Sequence, residues 1–397
     1  MGANNVLKIK SQIPYGKQQI FSDDVEAVVR VLNSDYLTQG PCIEKFEYAI
    51  AQYCQVKYAV AFSSGTAALH GACFAAGVGN GDEVITSPLT FAASANCVLY
   101  CGGKPVFADI KSDIPLIDPK QIFLKITDRT KAVIPVDYSG MPADYHEINI
   151  LVRKHKLIVI ADAAHSFGAT YKDKKVGSLA DMTVFSFHPV KLITTGEGGM
   201  VVTNNQKFYE RLLLFRNHGI TKDPRLLKRK SEGPWYYEMQ ELGFNYRLTD
   251  IQAALGLMQL KKINRFLVRR TEIASVYTNF LKNEINIRSL SVSNDRTSAW
   301  HLYPIQLQGK LRNLRKDIVN LLHKRGVMVQ IHYIPVHLHP FYHEQFGFKK
   351  GDFPNAEAFY EGEISLPIFP KLKTREQFWV LKTLKNVLTS FSSLSKH

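Results

Sequence analysis

Apolar positions follow two rhythms along this chain. Between about residue 55 and residue 205, short and nearly unbroken apolar runs alternate with Ala-rich stretches. The runs are YAVAF (58–62), EVITS (83–87), PVFADI (105–110), KAVIPVDY (131–138), LIVIADA (157–163), MTVFSF (182–187) and GMVVTN (199–204). Their density in Val, Ile and Phe predicts strands buried on both faces of a sheet. The stretches between them, such as TAALHGACFAA and FAASANCVLYC, are long enough for helices, and each soon meets a Gly that can stop it. This alternation predicts an α/β domain with a mostly parallel central sheet.

The rhythm changes near Thr249. Thr249 and Gln252 form a capping-box signature, and Ile251, Leu255, Met258, Ile263 and Phe266 continue an apolar stripe at helical spacing. The predicted long helix leads from a large domain, residues 1–260, into a smaller α+β domain, residues 261–397. Strand-like HLYPIQL (301–307), a helix near 314–325 and VMVQIHYIP (327–335) belong to the second part.

Composition narrows this picture. A chain of 397 residues, 45% hydrophobic and 21% charged, can bury two ordinary cores. No apolar run approaches the roughly 20 residues of a membrane span. The opening MGANNVLKIK has no apolar signal core, and Val6 stands where an acylation motif needs Ser or Thr. A cytoplasmic location without a membrane partner is therefore expected. The net charge of +15 is spread along the chain, with its densest cluster at Lys222, Arg225, Lys228, Arg229 and Lys230. No zinc-finger, RNP or basic-zipper pattern accompanies it, so the surplus predicts attraction of small anionic substrates rather than nucleic acid. The five cysteines, Cys42, Cys54, Cys73, Cys97 and Cys101, form no CxxC pair and read as buried free thiols. His332, His337, His339 and His343 crowd a segment broken by Pro335 and Pro340, at no standard zinc spacing, so no metal is expected.

The strongest chemical signal is FSFHPVKLITTGEGG, residues 185–199. A predicted strand ends in a polar turn holding Ser186, His188 and Lys191. A lysine at the mouth of a buried sheet is desolvated, which lowers its pKa and frees the amine to form a Schiff base. Another strand, LIVIADAAH, ends in Asp162, a carboxylate suited to a protonated pyridine nitrogen. Either residue alone would be ordinary, a solvated Lys or a capping Asp. A third part joins them in FSSGTAAL, residues 62–69: Ser64, Gly65 and Thr66 start a helix whose free amides suit a phosphate. Phe91, after the next strand, can stack on a flat cofactor or fill the core.

With these parts in this order, the chain resembles the DegT/StrS-type sugar aminotransferases. The resemblance runs from IPYGKQQI (13–20) and YLTQGP (36–41) through RNHGI and GFNYRL to HLYP and QIHYIP. It implies a fold-type I enzyme dependent on pyridoxal 5'-phosphate. By the resemblance, Lys191 carries the cofactor and shuttles protons, Asp162 pairs with the pyridine nitrogen, and His165 lies beside the cofactor hydroxyl. Ser186, Gly65 and Thr66 bind the phosphate. Asn245 reaches the cofactor of a neighbouring subunit, implying a homodimer with shared active sites. Tyr15, the Asp35-Tyr36-Leu37-Thr38 segment and Gln330-Ile331-His332-Tyr333 match the substrate-facing stretches. The wording SDYLTQG, FSFHPVKLITT and VQIHYIP is most similar to the pseudaminic acid branch. That branch moves nitrogen from L-glutamate to the C4 ketone of UDP-2-acetamido-2,6-dideoxy-β-L-arabino-hex-4-ulose. Nucleotide 4-keto sugars of the bacillosamine, perosamine or aminoarabinose type are competing acceptors. A non-catalytic cofactor-binding regulator is the competing class, disfavoured because Lys191, Asp162 and the phosphate turn occur together.

Overall fold

The computed structural model describes residues 12–394. The opening segment read above for leader and acylation signals lies outside the described residues. Seven strands form the central sheet, in the spatial order Tyr58–Phe62, Gly199–Thr203, Met182–Ser186, Ile158–Asp162, Thr130–Ile134, Glu83–Thr86, Lys104–Phe107. The five strands from Met182–Ser186 to Lys104–Phe107 run parallel, and Gly199–Thr203 is antiparallel to both of its neighbours. All seven apolar runs become strands, because successive side chains alternate faces and both faces are covered. From Tyr58–Phe62, Ala59 and Ala61 enter one core cluster, while Val60 and Phe62 enter the opposite one. The helices Gly65–Ala75 and Ala93–Tyr100 end against Gly77 and Gly102, both at positive φ, as the Gly-stop reading expects.

Parallel strands bring their carboxyl ends to one edge, where an α/β sheet opens a crevice for ligands. Here that edge carries Thr86, Ile134, Asp162 and Ser186. Buried Asp137 braces the loops above it. Its carboxyl accepts from the Ala143 amide (2.9 Å), the Tyr145 hydroxyl (2.8 Å) and the Ser166 hydroxyl (2.5 Å), and burial pushes it up to about 7.

The C-terminal part is a three-stranded antiparallel sheet, Ile287–Ser289, Tyr303–Leu307 and Glu363–Leu366, backed by the helices Ile263–Leu281, Arg315–Lys324 and Thr374–Leu394. One detail differs from the sequence reading and two add to it. The long helix is two, Asp250–Leu260 and Ile263–Leu281. At the break, Lys262 binds Asp23 (2.9 Å) and Asp24 (2.8 Å), so contacts with the helix Ser22–Leu32 outweigh helical continuity. Residues 327–335 make only isolated bridges at Val327 and Gln330, not a regular strand. Ile13 packs into the C-terminal core rather than the large one.

Candidate active site

Two close backbone approaches build the floor of the site. Gly65 opens its helix so near Ser186 that an added Cβ would stand 2.9 Å from the serine Cβ. At Gly199 an added Cβ would meet the Ser64 carbonyl oxygen at 2.3 Å. Ser64 caps the helix through Ala67 N–H (3.0 Å), and the first intrahelical bond is made by Ala68. The Gly65 and Thr66 amides therefore precede the first intrahelical donor and stay free for an anion. The segment after Ser186 curls back on itself: Thr194 Oγ1 and the Thr195 amide both donate to the Phe187 carbonyl, and the Lys191 amide donates to His188. That closed loop turns Lys191 over the sheet edge.

A cavity of about 550 Å³ opens there, and Lys191, Asp162, Ser186, Gly65 and Thr66 all line it. Burial lowers the Lys191 amine to about 8, against the attraction of Asp162. At neutral pH about a tenth of the amine is thus unprotonated, far more than for a solvated lysine. Burial likewise raises Asp162, opposed by the Ser94 hydroxyl, the Ala164 amide and Lys191. Ser94 Oγ donates to Asp162 Oδ2 at 2.5 Å and lies 2.6 Å from Thr90 Oγ1, so the carboxylate sits on a short chain of hydroxyls.

Three histidines form the opposite wall. His165, His301 and His332 are all buried and line the cavity, and burial first, then Lys191 and their mutual repulsion, holds the first two well below the ordinary histidine range. They stay neutral under working conditions. His165 Nε2 lies 3.0 Å from the Tyr333 hydroxyl, and the His301 ring sits 4.3 Å from the His165 ring. The Tyr15 and His332 rings are 5.2 Å apart. Phe91 is 62% exposed rather than a core residue, and it flanks the cavity 6.1 Å from Tyr333.

Of the residues singled out from sequence, Ser64, Gly65, Thr66, Phe91, Asp162, His165, Ser186, Lys191, Tyr15, His332 and Tyr333 meet in this cavity. Asp35, Tyr36, Leu37 and Thr38 do not; they form an exposed turn tied to the start of the helix Asp250–Leu260 by Asp250 N–H to the Leu37 carbonyl. Gln330 and Ile331 precede the wall without entering it, because Gln330 pairs with Ser365 instead. Asn245 is exposed and bridges Asn217. The basic stretch 222–230 lies elsewhere too: Arg225 is clamped by Asp223 (2.6 Å), and Glu238 accepts from the Lys228 and Arg229 amides. His337, from the histidine-rich segment, is paired with Glu357 (2.9 Å). Among the described residues no three metal-ligating side chains converge.

Sequence reasoning missed Thr90, Ser94, Glu197 and His301. Glu197 stands inside the quoted TTGEGG and could have been marked as a carboxylate beside Lys191. Ser94 sits in an Ala-rich helix, where a small residue reads as packing, and nothing local signals its role.

The residues fit pyridoxal phosphate on structural grounds. Two free helix amides and a serine hydroxyl would suit a phosphate, a braced carboxylate would suit a cationic ring nitrogen, and a desolvated amine lines the same cavity. The comparisons agree. The profile of the DegT/DnrJ/EryC1/StrS aminotransferase family matches residues 18–385. A UDP-4-amino-4,6-dideoxy-N-acetyl-beta-L-altrosamine transaminase from Campylobacter jejuni is 38% identical over 379 residues, 95% of this chain and 97% of its own. Helicobacter pylori PseC, an aminotransferase involved in the biosynthesis of pseudoaminic acid, superposes with a TM-score of 0.89 at 36% identity, covering 96% of this chain and 100% of that one. Spr1654 from Streptococcus pneumoniae, known in a PMP-form and a PLP-form, superposes with TM-scores of 0.91 and 0.89 at 32% identity, covering 97% and 95% of this chain and 100% and 98% of its own.

Proposed function

This chain belongs to the DegT/DnrJ/EryC1/StrS aminotransferase family, and from that premise we propose that it aminates the C4 ketone of a UDP-linked 4-keto-6-deoxy sugar with L-glutamate as donor. It is a pyridoxal-phosphate-dependent sugar aminotransferase. The acceptor favoured is UDP-2-acetamido-2,6-dideoxy-β-L-arabino-hex-4-ulose, giving the 4-amino-altrosamine nucleotide named for the Campylobacter relative. The observation that carries the reading is the pairing of Lys191 with Asp162 in one buried cavity, where burial brings the amine to about 8.

Pyridoxal phosphate, when bound, supplies an electron sink that stabilises negative charge at the carbon losing its proton. Lys191 supplies the moving base. With its pKa near working pH, the amine can take a proton and return it in both halves of the reaction. Asp162, held by Ser94 and the Ala164 amide, would keep a negative charge beside the ring nitrogen. Ser186, Gly65 and Thr66 would hold the phosphate. Neutral His165, bonded to Tyr333, lies where the cofactor hydroxyl is expected, and Tyr15, His332 and Tyr333 are left for the substrates.

A homodimer is part of this proposal. Asn245 is exposed and lies outside its own cavity, yet Tyr246 next to it accepts from the Ser63 amide, just before the phosphate turn. An edge so close to one site is well placed to complete a second.

The test is a visible-absorbance titration of the purified protein. The cofactor band should fade with L-glutamate and return on adding the UDP-4-keto sugar. A band that fades with glutamate but is not restored by this sugar would refute the acceptor and leave other nucleotide 4-keto sugars. A protein without a band after added pyridoxal phosphate would refute the role of Lys191.

A further inference from the structure

Behind the cavity lies a buried carboxylate that this chemistry does not use. Glu363 opens the strand Glu363–Leu366 and has no exposed surface. The segment leading to Tyr333 runs antiparallel to it, with Gln330 and Ser365 joined by two backbone hydrogen bonds of 2.8 and 3.3 Å. That register sets His332 opposite Glu363, and the His332 amide donates to Glu363 Oε2 at 2.8 Å. Ser365 Oγ donates to Glu363 Oε1 at 2.5 Å and lies 2.9 Å from His332 Nδ1. The Tyr138 hydroxyl donates to the His332 carbonyl, so the histidine is held at both backbone ends. Its Nε2 makes no hydrogen bond among the described residues, and the ring lines the cavity.

We infer that Glu363 and Ser365 form a proton relay behind His332, deciding whether its Nε2 offers the active-site cavity a hydrogen-bond acceptor or a donor; this rests on reading that cavity as the substrate site. Proton counting gives two states. With Glu363 ionised, the single hydroxyl proton of Ser365 goes to the carboxylate, which outranks a neutral imidazole as acceptor. Nδ1 must then carry the ring proton, and Nε2 presents a lone pair. When Nε2 takes a proton from the cavity, Nδ1 passes its proton to Ser365 and Ser365 passes its own to Glu363. The ring ends neutral with its N–H on Nε2, and the carboxyl holds the one proton gained.

The surroundings favour the extra proton on Glu363 rather than on the ring. Burial and Lys191 press His332 down to about 3, with neutral His165 and His301 beyond it and the Tyr15 ring against it. Burial pushes Glu363 up to about 8, against the pull of Ser365, the His332 amide and Arg315 from the helix Arg315–Lys324. Tyr138 and Tyr333 face it as neutral phenols, and the residue across the strand is the uncharged Gln306. The relay therefore changes state near pH 8, outside the ordinary carboxyl range. Below that pH Nε2–H suits a carboxylate of the amino-acid donor; above it the lone pair repels one. A sugar hydroxyl, both donor and acceptor, fits either state. Glu363 and Ser365 are thus positioning residues, and His332 is the group that meets substrate.

The test compares wild type, Glu363→Gln and Ser365→Ala, each with cofactor and each checked by thermal melting. In Glu363→Gln the amide N–H donates to Ser365 and locks Nε2–H toward the cavity. The KM for glutamate should rise about tenfold from pH 7 to pH 9.5 in wild type, the scale of one charged hydrogen bond. It should stay flat in both variants, while the KM for the sugar nucleotide changes little with pH in any of them. Folded variants that keep the wild-type rise would overturn the relay. A second readout needs no turnover: pH-difference infrared spectra of wild type should contain the carbonyl stretch of a protonated buried carboxyl titrating near pH 8, lost in Glu363→Gln. A difference spectrum unchanged by that substitution, with Asp137 and Asp162 accounting for every such band, would also overturn it. If glutamate leaves the cofactor band untouched, the donor assignment fails while the infrared result still decides the relay.

Discussion

Replacing Ser94 by alanine tests the least visible part of the site. Ser94 is fully buried in the helix Ala93–Tyr100, and its hydroxyl donates to Asp162 Oδ2 at 2.5 Å with Thr90 behind it at 2.6 Å. Alanine is the better helix former and leaves a gap of one oxygen, so the fold should survive. The carboxylate, however, loses the strongest of the influences that lower its pKa against burial. A hydrogen bond to a charged group contributes about 1.5–3 kcal/mol. At 1.4 kcal/mol per factor of ten, pyridoxal phosphate should bind about 10- to 150-fold more weakly to Ser94→Ala. Thr90→Val removes only a neutral bond one step back, about 0.5–1.5 kcal/mol, and should weaken binding by about tenfold or less. The assay is titration of cofactor-stripped protein with pyridoxal phosphate, read by absorbance, with melting curves as the fold control. A folded Ser94→Ala that binds within about twofold of wild type would refute the argument, as would a larger loss in Thr90→Val.

Lys191→Ala should fold, lose the yellow colour of the holoprotein and lose activity by about 10⁴-fold or more; a coloured, active variant contradicts the assignment. Asn245→Ala should weaken cofactor affinity in sedimenting dimers, and wild-type affinity in a protein that sediments as a monomer would remove the shared site. The stretch 222–230 lies outside its own cavity, so a role in binding the diphosphate requires that it reach the neighbouring subunit's site: neutralising Arg225, Lys228, Arg229 and Lys230 together should then raise the KM for the sugar nucleotide, and an unchanged KM excludes that role. Stability should fall between about pH 6.5 and pH 8. In that window Asp137 (about 7) and Glu363 (about 8) hold protons when folded that unfolded carboxyls have already released, so their contribution is lost as pH rises through those values. The depressed pKa values of His70, His165, His301, His332 and His337 act in the opposite direction up to about pH 7, and Lys191 opposes increasingly as pH rises from about 7 through about 8, so the fall is read as the difference between wild type and Glu363→Gln. A melting-temperature difference, wild type minus Glu363→Gln, that rises from pH 6.5 to 8 would contradict this assignment.

Local chemistry along the chain was enough for much of this protein. The seven strands were legible because a strand covered on both faces must be apolar at every position, and that signal needs no partner to be seen. Lys191, Asp162 and Gly65 were legible for a related reason: each stands where a strand or turn delivers it to the carboxyl edge of a parallel sheet. Tertiary structure decided what depends on residues far apart in sequence. Ser94 meets Asp162 across 68 positions, and Glu363 meets His332 across 31, each with side chains that would be unremarkable in their own segments. The helix from Thr249 ends at Leu260, and at the break Lys262 is held by two aspartates of another helix, which no periodicity reports. Burial sets the working charges in the same way. A lysine near 8 and a glutamate near 8 are ordinary residues until the fold removes their water.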